Sequence, residues 1–265
     1  MTALRLGAVS YLNTKPLVYG LEAFPDQFDV RFDVPAKCAE LLHHGKVDLG
    51  LIPAIEYLRG DYQMVPGVAI ASDGDVATVA VFTRKPIVAV ETLALDLSSR
   101  TSVALTRVLC AKRWGIAPKF TPSEPNLEAM LQKADAALVI GDPAFEIDPE
   151  KYDVTKIDLG AEWKALTGLP FVYAMWVGRP GAASPEQCRA LQRARDRGLA
   201  SLPEIARQAS GGDAMLEARA LSYLRDNLKF DLGAAEQAGL RKFHELAAEI
   251  SIVPQLKPLR FFDVG

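Results

Sequence analysis

The strongest constraint on this chain is an alternation that begins at its fourth residue: short apolar runs, each followed by a segment of helical period. Residues 4–9 read as a buried strand, 14–22 as a helix, 30–34 as a strand and 35–44 as a helix, which is a βαβ rhythm. Residues 47–52 then read as a third buried strand. Pro53 falls where a first-turn proline would open a helix ending near Arg59. Three strand ends are therefore expected to crowd one edge.

The rhythm then restarts. A β-branched strand over residues 76–83 runs into Arg84-Lys85-Pro86, a crossing into a second lobe. There the pattern gives a strand at 92–97, a helix at 100–114, a strand near Phe120, a helix at 126–133 and a buried strand at 136–140. Residues 171–177 would carry the chain back. From Ser184 to the end the period is almost wholly helical, punctuated by Pro203, Gly211-Gly212 and Gly233. The expectation is an α/β protein of two lobes, residues 1–85 with 176–265 as lobe I and 86–175 as lobe II. Two mostly parallel sheets, with helices around them, face a central cleft, and a helical C-terminal tail covers the first lobe. This architecture resembles the type II periplasmic-binding-protein fold. Open α/β sheets bind ligands at the carboxyl ends of their strands. The same cleft serves transport receptors, regulators and enzymes, so function has to be argued from the site.

Charge removes several partners. Lys+Arg 30 against Asp+Glu 33 leaves a net charge of −3, with no basic run to track a phosphate backbone, so no nucleic acid is expected. No apolar stretch approaches the roughly 20 residues that span a bilayer, so no membrane partner is expected. The opening MTALRLGAVSYLNTKPLV lacks the pattern of an export leader, which predicts a cytoplasmic protein. Cys38, Cys110 and Cys188 are odd in number and widely spaced, and read as core thiols rather than disulfides or zinc ligands. Oligomeric state is not written in these patterns.

Four polar clusters fall on expected cleft loops. Ser10-Tyr11-Leu12-Asn13-Thr14-Lys15-Pro16 lies between the first strand and helix, where Asn13 offers a donor and an acceptor in one rigid amide. Ser98-Ser99-Arg100-Thr101-Ser102 opens the helix with apolar face Val103, Leu105, Val108 and Leu109. Hydroxyls and orphan N–H groups at a helix start suit a carboxylate, and Arg100 is either a clamp on it or a solvated residue. Asp73-Gly74-Asp75-Val76-Ala77-Thr78 leads into the crossing strand, with Thr78 a candidate for the cleft. Ile140-Gly141-Asp142-Pro143 ends a buried strand, so Asp142 could face the cleft. Each cluster has a plainer reading: Ser10, Asn13, Thr14, Ser98, Ser99 and Asp142 as turn and cap residues, and Thr78 as an ordinary strand threonine. His43 and His44 sit at a helix end expected to be exposed, and His244 lies in the helical tail. No nucleophile–histidine triad, phosphate loop or metal cluster is indicated, and no cofactor is expected.

Taken together, Ser10 to Leu17, Asp48-Leu49-Gly50-Leu51-Ile52-Pro53, Ser98 to Val103, Ile140-Gly141-Asp142 and the stretch from Asp158-Leu159-Gly160-Ala161-Glu162-Trp163 through Thr167-Gly168-Leu169-Pro170-Phe171-Val172 resemble the chorismate dehydratases of the futalosine route to menaquinone. The resemblance implies a cofactor-free hydro-lyase that removes water from chorismate, giving 3-[(1-carboxyvinyl)oxy]benzoate. It places Asn13 and Thr78 at the reacting ring. Ser10, Tyr11, Ser99, Thr101, Ser102 and Asp142 become substrate-binding residues, with Thr101 and Ser102 on a carboxylate. Serine is expected where this chain has Thr78, so a methyl group is added in a tight cleft. The enolpyruvyl carboxylate of the substrate is a candidate base. The related 1,4-dihydroxy-6-naphthoate synthase would carry a different first motif and a histidine near the chemistry. A non-catalytic small-carboxylate solute-binding protein would need export. A ligand-sensing regulator would need a helix-turn-helix segment.

Overall fold

The structure is a computed structural model and describes residues 3–265. Met1 and Thr2, which begin both the leader reading and the lobe I segment, lie outside the described residues. In chain order the strands are β1 Leu4–Val9, β2 Phe28–Asp33, β3 Leu49–Pro53, β4 Gln63–Ser72, β5 Val79–Thr83, β6 Thr92–Asp96, β7 Lys119–Ser123, β8 Ala136–Ile140, β9 Thr155–Asp158 and β10 Phe171–Gly178. The helices between them are α1 Lys15–Val18, α2 Pro35–His43, α3 Arg100–Leu109, α4 Leu127–Leu131, α5 Gly141–Glu146 and α6 Leu159–Thr167. The tail adds α7 Pro185–Ala200, α8 Leu202–Ser210, α9 Ala214–Ser222 and α10 Ala234–Glu249.

Two five-stranded sheets result, ordered β2-β1-β3-β10-β4 and β7-β6-β8-β5-β9. In the first, β1 pairs parallel with β2 and β3, setting Leu6 beside Val30 and Leu49. In the second, β6 pairs parallel with β7 and β8. The crossing strands run the other way. β10 is antiparallel to β3 and β4, and β5 is antiparallel to β8 and β9, because each enters its sheet from the opposite lobe. Both are buried along their whole length, as a strand with neighbours on both sides and helices on both faces must be. β5 bonds into the second sheet. Sheet membership therefore changes between Ser72 and Val79 on the way out and between Asp158 and Phe171 on the return, not at 85/86 and 175/176.

β4 is a strand that the sequence pattern conceals, because Pro66-Gly67 interrupts its apolar run like a turn. An edge position explains the tolerance, since an edge proline removes no ladder hydrogen bond. The carbonyls that β4 leaves free are covered by α7: Gln192 donates to Pro66 O at 2.8 Å and Arg195 to Gly67 O at 2.6 Å. The same helix holds α1. An added Cβ at Gly198 would lie 2.1 Å from the Pro16 carbonyl, so only glycine allows this approach. The tail is not helical to its end. Residues 250–265 run back beside β4, where Met64 bonds Arg260 and Phe262 in turn. The three cysteines are free and buried.

α10 packs behind β10 through an edge-on group of Trp163, Phe171 and Phe243. The next residue, His244, stacks over Tyr57 with ring centroids 6.2 Å apart and planes 1° from parallel, and its Nε2 lies 3.2 Å from the Ala54 carbonyl. Burial pushes this imidazole down to about 4 from an ordinary 6.5. Between those pH values the unfolded chain binds more protons at this site than the folded one, so stability falls as pH drops through the window. The full gap is worth about 3 kcal/mol. Urea unfolding from pH 7 to pH 4.5 should show this loss, and His244→Gln should flatten the slope relative to the parent, whatever its own offset. Equal slopes for the two proteins would remove His244 from the account.

Candidate functional site

The carboxyl ends of β1, β3, β6 and β8 meet at a narrow slot between the sheets. It holds about 520 Å³ of empty space. Tyr11, Asn13, Thr78, Ser99, Thr101 and Ser102 all line it.

The first cluster reaches the slot because β1 ends in a tight 3-10 turn, Leu12–Thr14, which passes into α1 with Pro16 in its first turn. The Tyr11 ring lies against Gly141, whose φ of +67° and lack of a Cβ are both required. A Cβ there would stand 2.6 Å from the ring. The Tyr11 hydroxyl donates to Ser98 Oγ at 3.4 Å, and the Leu12 N–H donates to Asp142 Oδ1 at 3.2 Å. Asp142 thus ties the two lobes and does not line the slot; burial raises its pKa. Ser10 is exposed, makes its backbone bond to Asp33, and is also outside the lining.

At the start of α3 the plain and the functional readings both hold. Ser99 caps the helix by accepting from the Ser102 N–H at 3.2 Å, and it also lines the slot. Ser98 donates through N–H and hydroxyl to Asp96, 2.8 and 2.6 Å away, a carboxylate whose pKa burial pushes up. Thr101 accepts from the Ile55 N–H at 3.2 Å, across the lobes. Arg100 lies outside the lining of the slot and is partly exposed. Its guanidinium turns from the slot to Glu56 Oε2 at 2.7 Å and Glu40 Oε1 at 3.2 Å. Glu56 is wholly buried and also meets His43 Nε2 at 2.8 Å, while its Oε1 faces Arg59 at 3.0 Å without hydrogen-bond alignment. Burial alone would raise the Glu56 pKa, yet His43, Arg100 and Arg59 hold it below the ordinary value. His43 is therefore not the solvent-facing residue that its helix position predicts: its other nitrogen lies 2.6 Å from the Tyr62 hydroxyl.

The loop that carries Thr78 is held from outside the slot. Ala77 takes φ +66°, uncommon for a residue with a Cβ. The Asp158 carboxylate accepts from the N–H groups of Val76 at 3.0 Å and Ala77 at 2.7 Å, and it caps α6 through Gly160 and Ala161. Burial pushes its pKa up. Lys156 Nζ donates to the Ala77 carbonyl at 2.6 Å, and burial pushes its pKa down. Thr78 is thereby buried at the slot wall, its hydroxyl 2.9 Å from the Tyr223 hydroxyl. Tyr223 opens a π-helical turn, Tyr223–Asn227, after α9. Neither Tyr223 nor Tyr173, whose hydroxyl meets Ser72 at 3.0 Å, is foreshadowed by the sequence pattern: both sit in runs that read as ordinary core.

Among the described residues no cationic side chain lines the slot. Its positive field comes from hydroxyls and from the N-terminus of α3, which suits a carboxylated ligand held by neutral donors. Among the described residues no group of three or more His, Cys, Asp and Glu could hold a metal ion, and no helix is long and apolar enough to cross a membrane.

Two sheets joined by two crossings, with a ligand slot between their strand ends, define the chain as a two-lobed periplasmic-binding-protein-like protein. Solved structures agree at the level of fold. Protein AF1704 from Archaeoglobus fulgidus superposes with a TM-score of 0.70 at 16% identity, covering 95% of this chain and 98% of that one. The periplasmic aliphatic sulphonate binding protein from Escherichia coli gives 0.62 at 17%, covering 99% and 94%. The family is set by sequence. The menaquinone-biosynthesis family matches residues 4–249, and a chorismate dehydratase of Thermus thermophilus is 30% identical over 271 residues, 96% of this chain and 98% of that protein. The chain belongs to the menaquinone-biosynthesis family.

The clamp on the Thr78 loop is open to direct measurement. In Asp158→Ala four N–H groups lose their acceptor, and stability should fall by about 2–4 kcal/mol. Hydrogen exchange of Val76, Ala77, Gly160 and Ala161 should quicken together. Retained protection at Val76 and Ala77 would mean that the strained loop holds itself.

Proposed function

We propose that the chain is a chorismate dehydratase, a cytoplasmic hydro-lyase that needs no cofactor and forms 3-[(1-carboxyvinyl)oxy]benzoate and water on the futalosine route to menaquinone. The observation that carries the reading is the gathering of Asn13, Thr78 and the α3 hydroxyls around one slot, in a chain 30% identical along nearly its whole length to a chorismate dehydratase.

The chemistry asks little acid or base strength of the protein. The ring carbon bearing the enolpyruvyl ether loses its proton to the substrate's own enolpyruvyl carboxylate. The freed electron pair forms the new ring double bond as the neighbouring C–O bond breaks. The departing hydroxide takes a proton, in net the one the carboxylate received, and leaves as water. Aromatisation makes the step downhill. The protein's part is to orient the carboxylate over that proton and to stabilise the leaving oxygen. Tyr11, Ser99, Thr101 and Ser102 hold the carboxylates, and Asn13 and Thr78 face the ring carbons that react. Ser10 and Asp142, which the resemblance also assigns to substrate, lie outside the lining of the slot.

Purified protein mixed with chorismate should yield a product lighter by one water in the mass spectrum. Asn13→Ala should lower kcat by about 100-fold, the usual cost of one well-placed donor. Chorismate that binds and returns unchanged would establish a solute-binding protein instead, which the fold also serves. Absence of binding would discard both.

A further inference from the structure

Three cations stand beside the slot, and each is turned away from it. Lys15, just beyond Asn13, lies over the Phe32 ring with Nζ 5.4 Å from the centroid. Lys156 gives its ammonium to the Ala77 carbonyl at 2.6 Å. Arg100 lies between Ser99 and Thr101, both of which line the slot, yet its guanidinium leaves for Glu56 Oε2 at 2.7 Å and Glu40 Oε1 at 3.2 Å. Of the three, arginine is the strongest partner for a bound carboxylate, since its planar fork matches that group in charge and in shape. A carboxylate at the start of α3 would attract it, and a buried glutamate holds it first.

A guanidinium only donates and an ionised carboxylate only accepts, so the direction of these contacts is fixed. The two acceptors are unequal. The Glu40 side chain is 40% exposed and shared with Lys37 at 3.0 Å, so water and salt weaken its hold. Glu56 is wholly buried. Burial works against its charge, and the His43 hydrogen bond and the two guanidiniums of Arg100 and Arg59 outweigh it. A buried ion pair is often no more stabilising than apolar side chains of the same volume, so stability alone does not account for a glutamate here. What Glu56 does is fix the place of a guanidinium whose neighbours on both sides line the slot.

The consequence falls on a carboxylate bound at the start of α3. Pairing with a guanidinium would hold it more tightly, but an adjacent opposite charge lowers a carboxylate pKa by roughly 1–3 units. A weaker base takes a proton more slowly. The hydroxyls of Ser99, Thr101 and Ser102 and the N–H groups of the helix start orient the same group with less of that loss. Affinity and rate therefore pull in opposite directions, and the position of Arg100 decides between them.

We propose that Glu56 is a positioning residue that holds the Arg100 guanidinium out of the slot, so that the substrate carboxylate which takes the proton meets neutral donors; this rests on the dehydratase reading above. Glu56→Gln keeps the size of the side chain and releases Arg100. It should lower kcat for water loss from chorismate by about tenfold and lower KM by about tenfold, which is tighter binding with slower chemistry. Combining Glu56→Gln with Arg100→Gln should return both constants to within about threefold of the parent. An unchanged kcat in Glu56→Gln, or a double variant as slow as the single one, would overturn the proposal. Arg100→Gln alone leaves Glu56 with Arg59 and His43 and does not disturb the buried carboxylate. There kcat and KM should stay within about threefold, and a KM about tenfold higher would make Arg100 a substrate clamp and overturn the proposal. A third measurement needs no turnover. The product 3-[(1-carboxyvinyl)oxy]benzoate should bind about tenfold tighter to Glu56→Gln than to the parent, and no tighter to the double variant. If the parent leaves chorismate unchanged but this pattern of binding holds, the dehydratase reading fails and the exclusion of Arg100 stands. If the parent converts chorismate and Glu56→Gln binds product no tighter, the exclusion fails and the dehydratase reading stands.

Discussion

The carboxylate of Asp158 is the interaction on which the rest of the architecture depends. It stands at the end of β9, where the return crossing begins, and it accepts from Val76 and Ala77 in the outgoing crossing. The two connections between the sheets are thus fastened to each other at one side chain. That bond converts two flexible links into one fixed edge of the slot and supports a left-handed residue beside Thr78 that would otherwise relax. The cost is a carboxylate held out of water, and the four N–H groups offset it, since buried charge is tolerated only when hydrogen-bonded. Its pKa is nonetheless raised, so desolvation outweighs the bonds.

Electrostatics inside the slot follows from where the cations are not. The one guanidinium at the mouth of α3, Arg100, is spent on Glu56 and Glu40. Under the proposed reaction this has a chemical use. A carboxylate paired with arginine loses basicity, because an opposite charge favours its ionised form. One held by hydroxyls and a helix terminus keeps more of it. A substrate that serves as its own base is better placed among neutral donors, which orient it without quenching it. The buried Glu56 group draws Arg100 aside, with Arg59 as a second cation and His43 as a hydrogen-bond partner.

Strands in the sheet centres were legible because burial on both faces leaves an uninterrupted apolar run. β1 and β8 have the bounds that the pattern predicts. The elements it missed are those stabilised by something other than their own composition. β4 carries Pro66-Gly67 and survives as an edge capped by α7, and β9 is short and half-exposed. The same distinction divides the site. Asn13, Thr78 and the α3 hydroxyls stand out because polar residues at strand ends and helix starts are locally unusual. Tyr223 and His43 do not, since their importance comes from partners distant in sequence, Thr78 and Glu56. Arg100 marks the limit between the two. Its place at the helix start was visible, but its direction depended on a carboxylate in the other lobe.

A slot walled by both lobes widens for a ring with two carboxylates as the lobes part. The ties that must yield are unequal. Leu12 to Asp142, Tyr11 to Ser98 and Ile55 to Thr101 are single hydrogen bonds, each worth about 1 kcal/mol net once water replaces the partner. Separating Arg100 from Glu56 is a larger step, but the carboxylate would keep His43 and Arg59 and so would not be stranded. Opening therefore breaks bonds that water can replace, whereas the Asp158 fastening sits on the crossings themselves and can stay intact as they flex. The lobes can hinge about it without losing the loop that presents Thr78, so under the proposed reaction that hydroxyl is already in position when the slot closes over its ligand.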